Sequence, residues 1–239
     1  MASIDPAAVK ELLASTDIAQ LQEAVRTYED NASKNASTTE EEQQSLKLRI
    51  LLWNRIQALQ KEAGVSLQES LQNIGRLWFR MGETDKAVGQ LTKAVALDPN
   101  DALSVDLLGE AHAELSHYDK AIEMHETAIA IWEKGTNVQA KALSYSKLGN
   151  TYFVKGDFAQ SLAMFKMAEG IMQKGSLGGT EQDGIILGQM GMLLERTGEY
   201  EQAVEVLKRA HKILVTTKGE TDSKTEEVGY LLEMTSTFV

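Results

Sequence analysis

The chain has 239 residues, no cysteine and a net charge of −11. Absence of cysteine rules out disulfide frameworks, thiolate zinc clusters and thiol chemistry, and it fits a reducing compartment, so a cytoplasmic location is expected. The acidic balance opposes nucleic-acid phosphates and anionic membranes, which attract basic surfaces, so neither is expected as a partner.

Two prolines, Pro6 and Pro99, and abundant Ala, Leu, Glu, Gln and Lys predict an all-α chain. Residues 1–6 carry neither the basic stretch nor the apolar core of a secretory leader. Asp5-Pro6 signals a helix start, and Ile18, Leu21, Ala24, Val25 and Tyr28 form an amphipathic stripe. Residues 31–37 hold two glycosylation sequons, at Asn31 and Asn35, and read as a polar loop. Thr39 with Glu42 suggests a capping box before a long helix to about Ala63. That helix is apolar on two sides, with Leu46, Ile50 and Trp53 on one and Leu48, Leu52, Ile56 and Leu59 on the other. A sandwiched position follows. Ser66 with Glu69 suggests a second capping box.

From there a pattern repeats. Gly75, Gly109, Gly149 and Gly191 are each followed by a small-residue pair: Ala87/Ala94, Ala121/Ala128, Ser161/Ala168 and Ala203/Ala210. In the first unit Leu71, Ile74, Leu77 and Trp78 form one helical stripe, and Gly82-Glu83 marks a turn. Ala87, Val88, Leu91, Ala94, Val95 and Leu97 form a second stripe, and Pro99 closes the unit. Two helices joined by a short turn make a helical hairpin, and the small residues let its backbones approach.

These residues resemble the tetratricopeptide repeat. The first unit carries Leu71, Ile74, Gly75, Trp78, Ala87, Leu91, Ala94 and Pro99 at the family's signature places. Later units carry Leu108, Gly109, Ala121 and Ala128; Leu148, Gly149, Tyr152, Phe165 and Ala168; and Met190, Gly191, Leu194, Ala203, Leu207 and Ala210. The resemblance covers roughly 68–214. It implies a right-handed superhelical solenoid of antiparallel helix hairpins. The expected organisation is N-terminal helices in 1–65, forming a divergent extra hairpin; four repeats within 66–220, at about 68–101, 102–141, 142–183 and 184–220; and a capping helix in 221–239. Val228, Leu231 and Leu232 would be the buried side of that last helix. The repeat glycines are spaced by 34, 40 and 42 residues. The longer spacings resemble the repeats of kinesin light chains and of the Leu-Gly-Asn-repeat spindle-orientation adaptors, which are peptide-binding scaffolds.

A search for chemistry returns little. His125-Glu126 lacks the second histidine of a metalloprotease pair, since Ile129 stands there. His112 and His125 could face each other, as core fillers or as two ligands of a site with no visible third. The glycine-rich segment 174–180 lacks the Gly-Lys-Ser/Thr ending of a phosphate loop and reads as a flexible inter-repeat loop. The methionines, notably Met164, Met167, Met172, Met190 and Met192, read mainly as core packing. No catalytic residue, metal or cofactor is expected, and a non-catalytic role follows.

By resemblance, the first helix of each repeat lines a concave groove. The subclass that binds acidic chaperone tails uses a clamp of basic and asparagine residues. The corresponding places here hold Gln72, Arg76, Leu107, Leu143 and Lys147, and only Lys147 fits. The groove instead offers Leu143, Phe153, Val154, Ile185 and Met192 for apolar side chains, and Ser146 and Asn150 for polar contacts. Asp106, Glu110 and Glu114 would favour Lys or Arg in the bound segment. The expected function is a protein-interaction scaffold that binds a peptide or helix in this groove, unless the array's own last helix covers it. The alternative is a homo-oligomeric structural subunit that assembles through its terminal helices.

Overall fold

In the computed structural model, described for residues 6–34 and 39–239, the described residues form twelve α-helices and no strand. The backbone divides into two compact units, at Leu115 and Ser116. No helix among the described residues is long and apolar enough to cross a membrane.

The first unit holds α1 (Pro6–Ala14), α2 (Ile18–Lys34), α3 (Thr39–Glu62), α4 (Gln68–Arg80), α5 (Thr84–Leu97) and α6 (Ala102–Glu114). Pro6 opens α1, as its fixed φ and missing donor favour at a helix start. The stripe over 18–28 lies wholly on α2, however, and the start at Pro6 belongs to a separate helix, α1. At Ser15-Thr16-Asp17 the Asp17 carboxylate accepts from the amides of Ala19, at 2.9 Å, and Gln20, so that α2 begins anew. A second correction concerns the polar loop at 31–37. Helix α2 runs on through Lys34, and 35–38 lie outside the described residues. The side chain of Thr39, the expected cap of α3, also lies outside them.

Helix α3 is sandwiched between α2 and α4. Both of its apolar sides are buried, Leu46, Ile50 and Trp53 together with Leu48, Leu52, Ile56 and Leu59. Among them lies Arg49, 2% exposed, whose Nη2 donates to Glu29 Oε1 at 2.6 Å. Burial pushes this guanidinium below its usual range and Glu29 opposes the shift. The expected Ser66–Glu69 box does not form. Leu67 stands at the cap of α4, and Ser66 Oγ accepts from Gln68 N at 3.3 Å.

The second unit holds α7 (Tyr118–Glu133), α8 (Val138–Lys155), α9 (Phe158–Lys174), α10 (Glu181–Thr197), α11 (Tyr200–Lys218) and α12 (Ser223–Ser236). Residues 102–141, expected as one repeat, contribute α6 to the first unit and α7 to the second. Helices α4 and α5, α8 and α9, and α10 and α11 pack as hairpins. The repeat glycines explain how closely. A Cβ on Gly75 would lie 2.7 Å from Leu91 Cγ, one on Gly149 3.0 Å from the Phe165 ring, and one on Gly191 2.5 Å from Leu207 Cδ2. Ser161, standing where the repeat usually has alanine, donates to the Gly149 carbonyl at 2.8 Å.

The segment 174–180, expected as a flexible loop, is closed by hydrogen bonds. Leu177 N donates to Met172 O at 2.8 Å, Thr180 Oγ1 donates to Leu177 O at 2.8 Å, and Gly179 N donates to the buried Asp183 carboxylate at 2.8 Å. Leu177 packs on a cluster of Ala142, Ala168, Met172 and Ile186. The methionine reading holds for Met172 and Met190, which are buried, but Met167 and Met192 are exposed.

Candidate interaction surface

Three helices of the second unit lie in sequence, α8 against α10 and α10 against α12. Their seams are polar or small. Ser146 Oγ on α8 donates to Gln189 Oε1 on α10 at 2.6 Å, and Gly188 leaves room for Val228 of α12, whose Cγ2 would be 3.0 Å from an added Cβ. The first unit repeats the device. The Gln68 and Gln72 carboxamides of α4 donate to Asp101 Oδ2, at 2.9 and 2.7 Å, at the start of α6, and Ser104 Oγ donates to the same oxygen at 2.6 Å. Side chains committed to a seam are withdrawn from any ligand.

Leu143, Ser146, Asn150, Phe153 and Val154 follow one another at helical spacing along α8, so they share a face. Their availability differs. Ser146 is buried in its bond to Gln189, Leu143, Asn150 and Phe153 are half-buried, and Val154 is 55% exposed. Phe153 is partly spent on its own hairpin, where its ring lies 5.7 Å from that of Phe158. On α10, Ile185 is half-buried and Met192 is 36% exposed. In the first unit, on α6, Asp106 is buried, Glu110 half-buried and Glu114 exposed. Asp106, expected to meet a basic ligand, is therefore turned into the protein and presents no charge to one.

The last helix shares a cluster with Ile185 but leaves Val154 and Met192 of this face open. Helix α12 packs on α11 and α10 through Val228, Leu231 and Leu232, while Thr235 is buried as well. Val154 and Met192 remain exposed with α12 in place.

The hydroxyls of Tyr145 and Tyr152 on α8 are pushed up by burial first and then by Glu133 and Glu126 respectively, which disfavours their ionised, nucleophilic forms. His125 is buried and His112 half-buried. Among the described residues no group of three or more His, Cys, Asp or Glu is arranged to hold a metal ion.

Sequence reading missed the carboxamide seam and the buried Arg49. The only signal for Arg49 was a cation inside the densest apolar run, 48–53. It also missed a cleft of about 650 Å³ in the first unit, lined by α3, α4 and α5.

Comparison with known proteins bears on the repeats. Tetratricopeptide-repeat family profiles match residues 69–101, 98–174 and 140–216. The Protein CTR9 homolog of Arabidopsis thaliana is 27% identical over 138 residues, which is 57% of this chain but 12% of that protein, so the chain spans about an eighth of this curated relative. Among solved structures, the nearly identical TPR-like repeats of a protein assigned as a kinesin light chain in Podosopora anserina superpose with a TM-score of 0.66. They are 17% identical, over 84% of this chain and 96% of that one. A thermophilic TPR protein of Thermus thermophilus also gives 0.66, at 15% identity, over 89% of this chain and 99% of that one. At such identities the structural likeness concerns the fold.

Proposed function

Because the chain belongs to the tetratricopeptide-repeat family, we propose that it is a non-catalytic scaffold that takes a peptide or helical segment of another protein on the face of α8 and α10. The exposed apolar pair Val154 and Met192, left uncovered by α12, carries this reading. Exposed apolar side chains gathered on one face mark interaction surfaces, and side chains of an incoming segment gain by burying them. Asn150, half-buried one turn before Val154 on α8, offers both a donor and an acceptor to a peptide backbone.

The test is affinity capture from native lysate with the parent chain and a Val154→Glu, Met192→Glu variant, each checked for helicity. Both side chains are exposed, so the variant should fold. Proteins recovered with the parent and lost with the variant support the face. An unchanged set rejects it.

The second reading, a homo-oligomeric subunit, is favoured by one observation. Tyr230 and Met234 on α12 and Phe238 just beyond it are 67%, 44% and 58% exposed. Static light scattering decides it, since a monomer at working concentration excludes that reading.

A further inference from the structure

We propose that the cleft of the first unit is a second docking site, which takes an acidic segment of a partner protein carrying a leucine-like side chain. The cleft runs between the C-terminal halves of α3 and α5 and the start of α4, and its volume of about 650 Å³ lies within the roughly 300–1,000 Å³ of ligand pockets. Its lining includes two lysines, Lys61 and Lys93, three carboxamides, Asn54, Gln57 and Gln90, and no carboxylate. In a chain of net charge −11 this is a local reversal of sign.

Neither lysine is in an ion pair among the described residues, and both are exposed. Lys61 stands in the last turn of α3, and Leu67, at the start of α4, lines the cleft beside it.

The other half of the lining is apolar. Leu67 and Leu71 line the cleft, and Leu97 on its wall is 56% exposed. Lysines meet Asp or Glu as mobile point charges, carboxamides pair with a peptide backbone, and the leucines supply burial. Charge complementarity thus selects an acidic, not a basic, occupant. This site stands apart from the α8/α10 face in residues and in the chemistry of its ligand.

The experiment uses the full chain and fluorescein-labelled dodecapeptides rich in Asp and Glu, with Leu placed in turn at each position, beside matched peptides in which Asn and Gln replace the acids. Anisotropy is read in low and moderate salt. The proposal expects saturable binding of acidic peptides that depends on where Leu stands. Their neutral counterparts should bind at least tenfold more weakly, and salt should weaken the acidic set. Lys61→Glu, Lys93→Glu should lower affinity at least tenfold with helicity unchanged, since both side chains are exposed, whereas Val154→Glu, Met192→Glu should leave it unchanged. Absence of binding, equal binding by the lysine variant, or loss only in the Val154/Met192 variant would overturn it. So would lysine-dependent binding to phosphatidylserine vesicles without peptide binding, which would mean that the patch reads a lipid surface.

Discussion

Replacing Gly191 by alanine adds a Cβ that would stand 2.5 Å from Leu207 Cδ2 and 2.6 Å from its Cγ. The Cγ is a branch carbon near the backbone, so the leucine cannot yield by swinging its tip. Overpacking of this kind costs about 1–3 kcal/mol, while alanine gains about 1 kcal/mol over glycine inside a helix. The net is a destabilisation between about 0 and 2 kcal/mol. Gly89, inside α5, supplies the control, because a Cβ there meets nothing within 4 Å among the described residues. Gly89→Ala should therefore stabilise by about 1 kcal/mol. The two variants should differ by about 1–3 kcal/mol in urea unfolding followed by far-UV circular dichroism. A cycle sharpens the test. Leu207→Ala alone should cost about 2–5 kcal/mol. In that background Gly191→Ala should turn stabilising, because the clash is gone and the propensity gain remains. If Gly191→Ala stabilises the parent as much as Gly89→Ala does, the close approach of α10 and α11 is not what the glycine is for.

Three further outcomes follow from the packing. Glu29→Gln leaves Arg49 buried without a counter-charge and should cost about 1–3 kcal/mol, whereas Arg49→Met, which leaves the 40% exposed Glu29 to water, should stay within about 1 kcal/mol of the parent in the same assay. Thr180→Ala removes the side-chain cap of α10 and should cost about 1 kcal/mol, seen as faster amide exchange over the first turn of α10. Lys218 has its pKa raised, by Glu181 first and then Asp222. Its folded value exceeds its unfolded one, so its small contribution is complete below the ordinary lysine range and is lost as pH rises through the folded value. The melting-temperature difference between the parent and Lys218→Met should accordingly narrow as the medium becomes strongly alkaline.

The hairpins were legible because their signals are local. A glycine facing a large residue, with small residues at fixed spacing, is written in the sequence at Gly75/Leu91, Gly149/Phe165 and Gly191/Leu207, and the same pairs touch in space. The two apolar sides of α3 were legible for the same reason, since helical spacing alone places Leu46 and Leu48 on different faces. What escaped depended on competition between near-equal local choices. The helix-start signal at Asp5-Pro6 and the stripe over 18–28 belong to two helices, α1 and α2, because the Asp17 cap starts α2 anew. At Ser66 the reverse occurred. A capping pattern was present, but α4 begins after Leu67, so the hydroxyl reaches Gln68 instead.

The proposed interaction face was legible only in part. Register along α8 placed Leu143, Asn150, Phe153 and Val154 together, but exposure depends on neighbours that the sequence does not specify. Asp106 and Ser146 read as groove residues by position, yet tertiary packing buries both. The lysine-lined cleft draws on α3, α4 and α5, whose exposed residues look like ordinary solvated faces one helix at a time.

Recognition at the face of α8 and α10 is tested most directly by site-specific photocrosslinking. Benzoylphenylalanine would be placed at 154, at 192 and, as a control, at the exposed position 160 of α9. Irradiation in native lysate should give discrete protein adducts at 154 and 192 that are absent at 160. Adducts at 160 alone, or at none of the three while the same partners are still captured, would show that recognition lies elsewhere on the chain.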